Sequence, residues 1–281
     1  LFFHNKYRYV SVAFSPDGER WSLYEGNPVI DRAGDTHSLL GWDEAIDAYV
    51  AYPRPWMSAA EGDPHIRVIG RSVSEDFTTW TEPEVVLEPD EQDPPGLEFY
   101  AMPVFKQEGL YLGLPWVYHA YPEEPLGRQG ATIDVQLAHS RDGIVWHRAA
   151  DRMPFIPLGP PGSVDGGTIY PAREPVLVGD ELWFYYGSSD ADHSDDSRPG
   201  NICLAKLRLD GFVSVDAGAA GGTLLTKPFR CDGGELLVNA EARGGAVSVA
   251  VLDEDGTHVK GYAKVDCALF DGDSVRHRVT W

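Results

Sequence analysis

"SRDGIVW" occupies residues 140–146, with a Ser, an Asp-Gly pair and a Trp at fixed offsets. A single copy reads equally as a turn, a metal site or a repeat marker. Recurrence decides. "SPDGERW" at 15–21 has the same frame, and "SEDFTTW" at 74–80 keeps Ser, Asp and Trp without the Gly. "RLDGF" at 208–212 keeps Asp-Gly and puts Phe where the others have Trp. The aromatic positions 21, 80, 146 and 212 lie 59, 66 and 66 residues apart. A period of that size settles the architecture before any local detail does.

Each marker follows a short run rich in β-branched and aromatic residues: "KYRYVSVAFS", "HIRVIGRSVS", "IDVQLAHS" and "NICLAKLRL". These read as strands. Asp then caps a turn with its side chain, Gly accepts a positive φ, and the Trp opens the next strand. Two further strands precede the later markers, as in "DTHSLLGWD" with "DAYVAYPR", "EFYAMPVFKQ" with "GLYLGLPWVYH", and "TIYPAREPVLVG" with "DELWFYYGSS". One more follows, as in "TEPEVVL". Four antiparallel strands per period is a β-propeller blade. No segment shows amphipathic helical periodicity. The frame resembles the Asp-box turn of sialidase propellers, with the Gly one place earlier.

Three blades read as whole or nearly so, at 31–90, 95–156 and 165–218. The first, near residues 6–30, carries only two outer strands. A ring must close to remove its edges, so the expectation is an all-β, five-bladed β-propeller whose first blade is incomplete here. The chain begins at Leu1 and not at Met, and the expectation is either that inner strands lie upstream or that the first blade is completed unusually. After residue 212 the period stops. "TLLTKPF", "ELLVNAEA", "AVSVAVLDEDG", "HVKGYA", "CALFDGD" and "VRHRVTW" read as strands of a small β-sandwich. The expected domains are 1–212, a propeller, and 213–281, a sandwich with strands missing after Trp281.

Composition excludes several function classes. The 281 residues carry 23 basic and 44 acidic side chains, a net charge of −21. Nucleic acid is repelled by that balance, and no Lys/Arg run offers a local exception. No apolar run approaches the roughly 20 residues of a helical membrane span. Cys203, Cys231 and Cys267 are too sparse for a disulfide framework and read as buried free thiols; a 231–267 pair would need an exported protein. No P-loop, dinucleotide Gly fingerprint, zincin helix or nucleophile elbow occurs.

In a propeller the first strand of each blade lines the central channel, so residues that open those strands converge. Here the openings carry Asp35, Glu98 and, ahead of Thr168, Asp165. Asp35 lies 14 residues before Tyr49 and Glu98 lies 13 before Tyr111, which places both carboxylates at similar depth. Convergent carboxylates suit glycosidic bond cleavage, where one acts as acid and another as base or nucleophile. Bland readings stand beside these. Asp35 in "DTHS" also reads as a helix N-cap, Glu98 as a solvated strand start, and Asp165 in "SVDGG" as a turn former. Glu174 reads as a fourth acid or as an ion-pair partner of Arg173. Asp43 reads as a turn acid. Arg54, His119 and His193 end second strands and reach the mouth as substrate-binding candidates, with Arg173 as another. Tyr100, Trp56, Trp116 and Tyr170 offer faces for sugar rings or for blade packing. "DADHSDD" at 190–196 offers oxygens to calcium or forms a solvated loop; no other cofactor is expected.

The stretches "DTHSLLGWDEAIDAYVAYPR", "EFYAMPVFKQEGLYLGLPWVYH" and "DGGTIYPAREPVLVGDELWFYYGS" resemble bacterial proteins similar to glycoside hydrolase families 32 and 43. The resemblance covers nearly the whole chain. It implies a five-bladed propeller, often with a sandwich behind, and three acids on successive inner strands. On that pattern Asp35 matches the second-blade Asp, a transition-state stabiliser or pKa modulator, and Glu98 matches the general acid. The first-blade Asp has no match, and no NDPNG-type stretch is present. The expected function is cleavage of glycosidic bonds in oligo- or polysaccharides. The alternative is a non-catalytic carbohydrate-binding or scaffold propeller. The expected partner is a carbohydrate, without nucleic acid or membrane.

Overall fold

The computed structural model describes residues 1–5, 9–31, 34–57, 66–120 and 131–281. Among these the chain is all-β, with a single 3-10 turn at Ala150–Arg152. Among the described residues no helix is long and apolar enough to cross a membrane. Two compact units are present: Leu1–Pro175 with Phe184–Ala205, and Val176–Trp183 with Lys206–Trp281.

The repeated turn explains the regularity of the first unit. In each of three copies the Ser hydroxyl accepts the N–H three residues on: Gly18 at 2.8 Å, Phe77 at 2.9 Å and Gly143 at 2.9 Å. The Asp Oδ1 accepts the next two N–H groups, from Glu19 and Arg20, Thr78 and Thr79, and Ile144 and Val145. The Trp Nε1 then donates back to the carbonyl of the fourth turn residue, Gly18, Phe77 or Gly143. Those backbone N–H groups hold the carboxyls of Asp17, Asp76 and Asp142 below the usual carboxylate range. The pivot has positive φ: Gly18 at 79°, Phe77 at 68° and Gly143 at 72°. The fourth copy is built differently. Arg208 stands where the hydroxyl was, Asp210 takes the positive φ of 56°, and Gly211 N–H bonds to the Arg208 carbonyl at 3.0 Å. Among the described residues no strand opens directly after it.

Around these turns run antiparallel meanders. The first sheet contains Phe2–Asn5, Tyr9–Phe14 and Ser22–Leu23. It thus has three strands where two were expected, because "FFHN" pairs with Tyr9–Val12 along its full length. The second sheet contains His37–Asp43, Ala48–Pro53, Ile69–Ser74 and Glu84–Leu87, in that order. The hairpin Trp56–Met57 with Ile66–Arg67 follows the Ala48–Pro53 strand and precedes Ile69–Ser74.

The third repeat is split into an inner part, Leu97–Ala101, Trp116–Ala120 and Ala131–Val135, and an outer part, Val104–Gln107, Leu110–Gly113, Ala138–Ser140 and His147–Arg148. Pro103 and Pro115 sit at two of the breaks, where the missing N–H interrupts the ladder. Their carbonyls still accept from Leu114 at 2.9 Å and Gln136 at 3.0 Å, which carries the register across. Thr168–Pro171, Val176–Val178, Glu181–Ser189 and Asn201–Arg208 form the last meander, joined to the third by one parallel pairing, Ile133 to Thr168.

The largest core lies between the second and third sheets and includes Val50, Tyr52, Ile69, Phe99, Met102 and Trp146. Tyr52 donates to the Gly143 carbonyl at 3.0 Å and meets Trp146 edge-on. The turn Trp therefore packs back onto the preceding sheet. Trp80 does the same against Phe2, at 5.1 Å between rings. Trp21, beside the first sheet, is 47% exposed.

In the second unit, Leu237–Glu241 pairs with Asp273–Arg278, and isolated bridges join Val247 to Phe270 and Leu252 to His258. Of the six expected strands, "ELLVNAEA" and "VRHRVTW" are realised. Residues 223–229 make no ladder; Leu224, Leu225 and Phe229 are exposed, and a strand without a neighbour gains neither hydrogen bonds nor burial. Ion pairs link Arg208 to Asp273 at 2.8 Å and Arg276 to Asp180 at 3.2 Å. The three cysteines are free. Cys267 is buried and Cys203 half-buried, but Cys231 is exposed, because its neighbours leave it on an unpaired segment.

Candidate functional site

Two acids that open successive repeats are each held by a buried arginine. Asp35 forms an ion pair with Arg54, which is 2% exposed. Gly34, at φ 66°, precedes it, and a Cβ there would lie 2.4 Å from the Arg54 carbonyl oxygen. Only glycine allows that approach and that conformation together. The chain then enters the strand His37–Asp43, so the helix N-cap reading of "DTHS" is replaced by a bend leading into a strand. Thr36 Oγ1 instead donates to the Tyr100 carbonyl at 2.7 Å.

Glu98 is 6% exposed and belongs to the inner strand Leu97–Ala101. Its Oε2 accepts both the Arg67 backbone N–H at 2.9 Å and Arg67 Nη1 at 2.8 Å. The two arginines share one ring. Arg54 lies 4.5 Å and Arg67 5.6 Å from the Tyr100 centroid, and Arg67 lies 4.4 Å from Tyr118. Arg54 also donates to the Tyr100 carbonyl at 3.2 Å. Burial, with Arg67 adding to it, pulls the Arg54 guanidinium down to about 10, so it stays charged at neutral pH.

Tyr100 continues into an aromatic wall. Trp116 and Tyr118 stack with it at 6.3 and 5.9 Å, Tyr170 meets Trp116 at 5.2 Å, and His193 meets Tyr100 edge-on at 4.7 Å. Glu98, Tyr100 and Tyr118 share a sheet face, since successive residues alternate and Glu98 pairs with Tyr118. His193 comes from the loop after Glu181–Ser189. Tyr170 Oη and His193 Nδ1 are 3.2 Å apart. Burial, reinforced by Arg198, Arg67 and Arg54, lowers the imidazole to about 4.

Asp35, Arg54, Glu98, Tyr100, Tyr170 and His193 thus belong to one connected group. Other candidates make their contacts elsewhere. His119 points to the opposite face from Tyr118, where Nε2 meets Asp134 Oδ2 at 2.9 Å. Asp165 accepts from Ser163 at 2.8 Å and from Tyr186 at 2.9 Å, a turn arrangement. Glu174 and Arg173 form an exposed pair with each other. The Trp56 side chain lies outside the described residues. Asp43 is buried and bonded to Lys106 and, at 2.5 Å, to Tyr111. In "DADHSDD", Asp192 and Asp195 each cap a Ser two residues on through Oδ1. Among the described residues no three His, Cys, Asp or Glu gather as a metal site.

Sequence reasoning passed over Arg67, Tyr118 and Thr36. Arg67 carried a signal: an arginine inside the apolar run "HIRVIG" must find a partner if the strand is buried.

No protein-family model and no curated protein matches the sequence. Solved structures do resemble the fold. A glycoside hydrolase aligns over 79% of this chain and 61% of its own, with 14% identity and a TM-score of 0.52. An N-acetylgalactosamine deacetylase from F. plautii, in complex with blood group B trisaccharide, aligns over 71% and 64%, with 18% identity and a TM-score of 0.51. The fold is that of propeller-type glycoside hydrolases. BT0996, in its RGII complex, is similar over 74% of this chain and 59% of its own, at 16% identity and a TM-score of 0.50. The chain spans about three fifths of the length of these three solved structures.

Proposed function

We propose that this chain is a carbohydrate-active, five-bladed propeller, incomplete in its first blade, with a sandwich from residue 213 onward, and that it cleaves glycosidic bonds at the Asp35–Glu98 group. One observation carries the reading: acids opening two successive repeats converge, through Arg54 and Arg67, on the ring of Tyr100. Two carboxylates beside an aromatic wall are the parts glycosidic cleavage needs. Glu98 Oε2 already accepts two hydrogen bonds from Arg67, so a proton for the leaving oxygen would ride on Oε1. Asp35 would then stabilise the oxocarbenium-like state. Tyr100 and Tyr170 would receive the apolar face of a sugar.

A second reading, a sugar-binding propeller without turnover, draws support from the same arginines. An acid locked to a buried guanidinium is well placed to orient hydroxyls and poorly placed to shuttle protons. Hydrolysis of aryl glycosides and oligosaccharides, with calorimetric binding in parallel, separates the two. Turnover that falls by at least about 100-fold in Glu98→Gln while binding persists supports cleavage. Binding without turnover in the unmodified protein leaves the second reading, and neither activity sinks both.

A further inference from the structure

The loop that carries His193 is pinned at both backbone groups. His193 N–H donates to the Ala131 carbonyl at 2.8 Å, and its own carbonyl accepts Arg198 Nη1 at 2.8 Å. The ring stands edge-on to Tyr100 and to Tyr118, at 4.7 and 5.7 Å. Its position is therefore set by the fold and not by solvent.

We propose that Tyr170 and His193 form a substrate-positioning pair, in which the Tyr170 hydroxyl donates to Nδ1 and leaves Nε2–H as a fixed donor to an acceptor oxygen of an uncharged sugar. This rests on the carbohydrate reading above and adds the tautomer and the charge class of the ligand. Arg198, Arg67 and Arg54 face the imidazole and, with burial, oppose a second proton; Asp192 pulls the other way and is outweighed. Above about pH 4 the ring is accordingly neutral, with one donor and one acceptor nitrogen. Burial also keeps the proton on Tyr170. The phenol oxygen lies 3.2 Å from Nδ1; in the proposed pair the phenol is the donor and Nδ1 the acceptor, which puts the ring hydrogen on Nε2. Nε2 has no hydrogen-bond partner among the described residues. Asp35 is paired with Arg54 and Glu98 with Arg67, while Arg198 donates to the His193 and Asp195 carbonyls and has the Asp195 carboxylate as its nearby counter-charge. Acids and bases there balance, which favours a neutral sugar over a carboxylated or sulfated one.

The tautomer is read directly by long-range nitrogen–proton NMR of the unmodified chain, without any sugar. The expected result is an Nε2–H imidazole with no titration between about pH 5.5 and 8. An Nδ1–H ring, or a ring titrating near the ordinary histidine value of about 6.5, overturns the proposal whatever the fate of the carbohydrate reading. Tyr170→Phe is expected to mix the tautomers and to weaken binding of neutral oligosaccharides about tenfold, the loss of about one hydrogen bond's worth of orientation. The weakening should appear in KM more than in kcat. His193→Gln, which keeps a donor, should retain more affinity than His193→Phe. Equal sugar binding by all four proteins overturns the positioning role alone. Absence of any sugar binding, with the tautomer as stated, overturns the carbohydrate reading and this role with it.

Discussion

Phe77 shows how a single residue settles competing terms. It occupies the turn position where two other repeats place glycine, and it holds φ at 68°. That conformation costs a bulky L-residue about 1–2 kcal/mol. The ring offsets it, lying 4.9 Å from Tyr49, 5.8 Å from Trp80 and 5.9 Å from Phe2. Each aromatic contact contributes about 0.5–1.5 kcal/mol beyond burial. Phe77→Gly is thus expected to relieve the backbone and still destabilise the chain, by about 1 kcal/mol net. A urea midpoint that rises in the variant would show that the backbone term wins. Gly34 is the opposite case: no side chain fits, so the residue preceding the first acid has no alternative. The sequence signal was readable for the Asp-Gly turns and unreadable for Gly34, because the atom it avoids, the Arg54 carbonyl oxygen, belongs to a residue far along the chain.

Between elements, the decisive contacts are polar pins through an apolar core. Asp43 ends the first strand of the second sheet and bonds to Lys106 and Tyr111 of the third. Burial pushes its carboxyl up, but Lys106, Tyr111 and the Ala45 N–H together hold it below the ordinary range. Asp43→Ala removes the acceptor shared by the Tyr111 hydroxyl and the Lys106 ammonium at a buried site, and the expected loss is about 2–3 kcal/mol. Asp43→Asn should cost less, since it still accepts one bond. Chemical denaturation of both variants checks the order, and equal losses would mean that the charge carries the whole effect. The sequence reads Asp43 as a turn acid, and its Oδ1 does accept the Ala45 N–H at 3.0 Å, but its side-chain partners come from strands of the next repeat. The same separation hid Arg67 behind Glu98 and sent His119 to the far face from Tyr118, a distinction of one residue in register.

For the whole molecule, a net charge of −21 works against compactness. Screening weakens that repulsion, while buried pairs such as Arg148–Asp93, at 2.5 Å, feel salt little. Raising sodium chloride from low ionic strength to about 0.5 M should therefore raise Tm by a few degrees. A fall in Tm would mean that exposed ion pairs outweigh the net repulsion. The amino-acid sequence by itself determined the repeat and the three Ser-Asp-Trp turns, because those rest on contacts within a few residues and on period-two burial; the third strand of the first sheet and the split of the third repeat came only with the tertiary structure. It also placed Asp35 and Glu98 at the openings of successive repeats. Which arginine neutralises each acid, which ring they share, and which of the histidines faces that ring were decided only by tertiary structure. Ion pairing and ring packing depend on distances through space between strands far apart in the chain, and no local pattern encodes them.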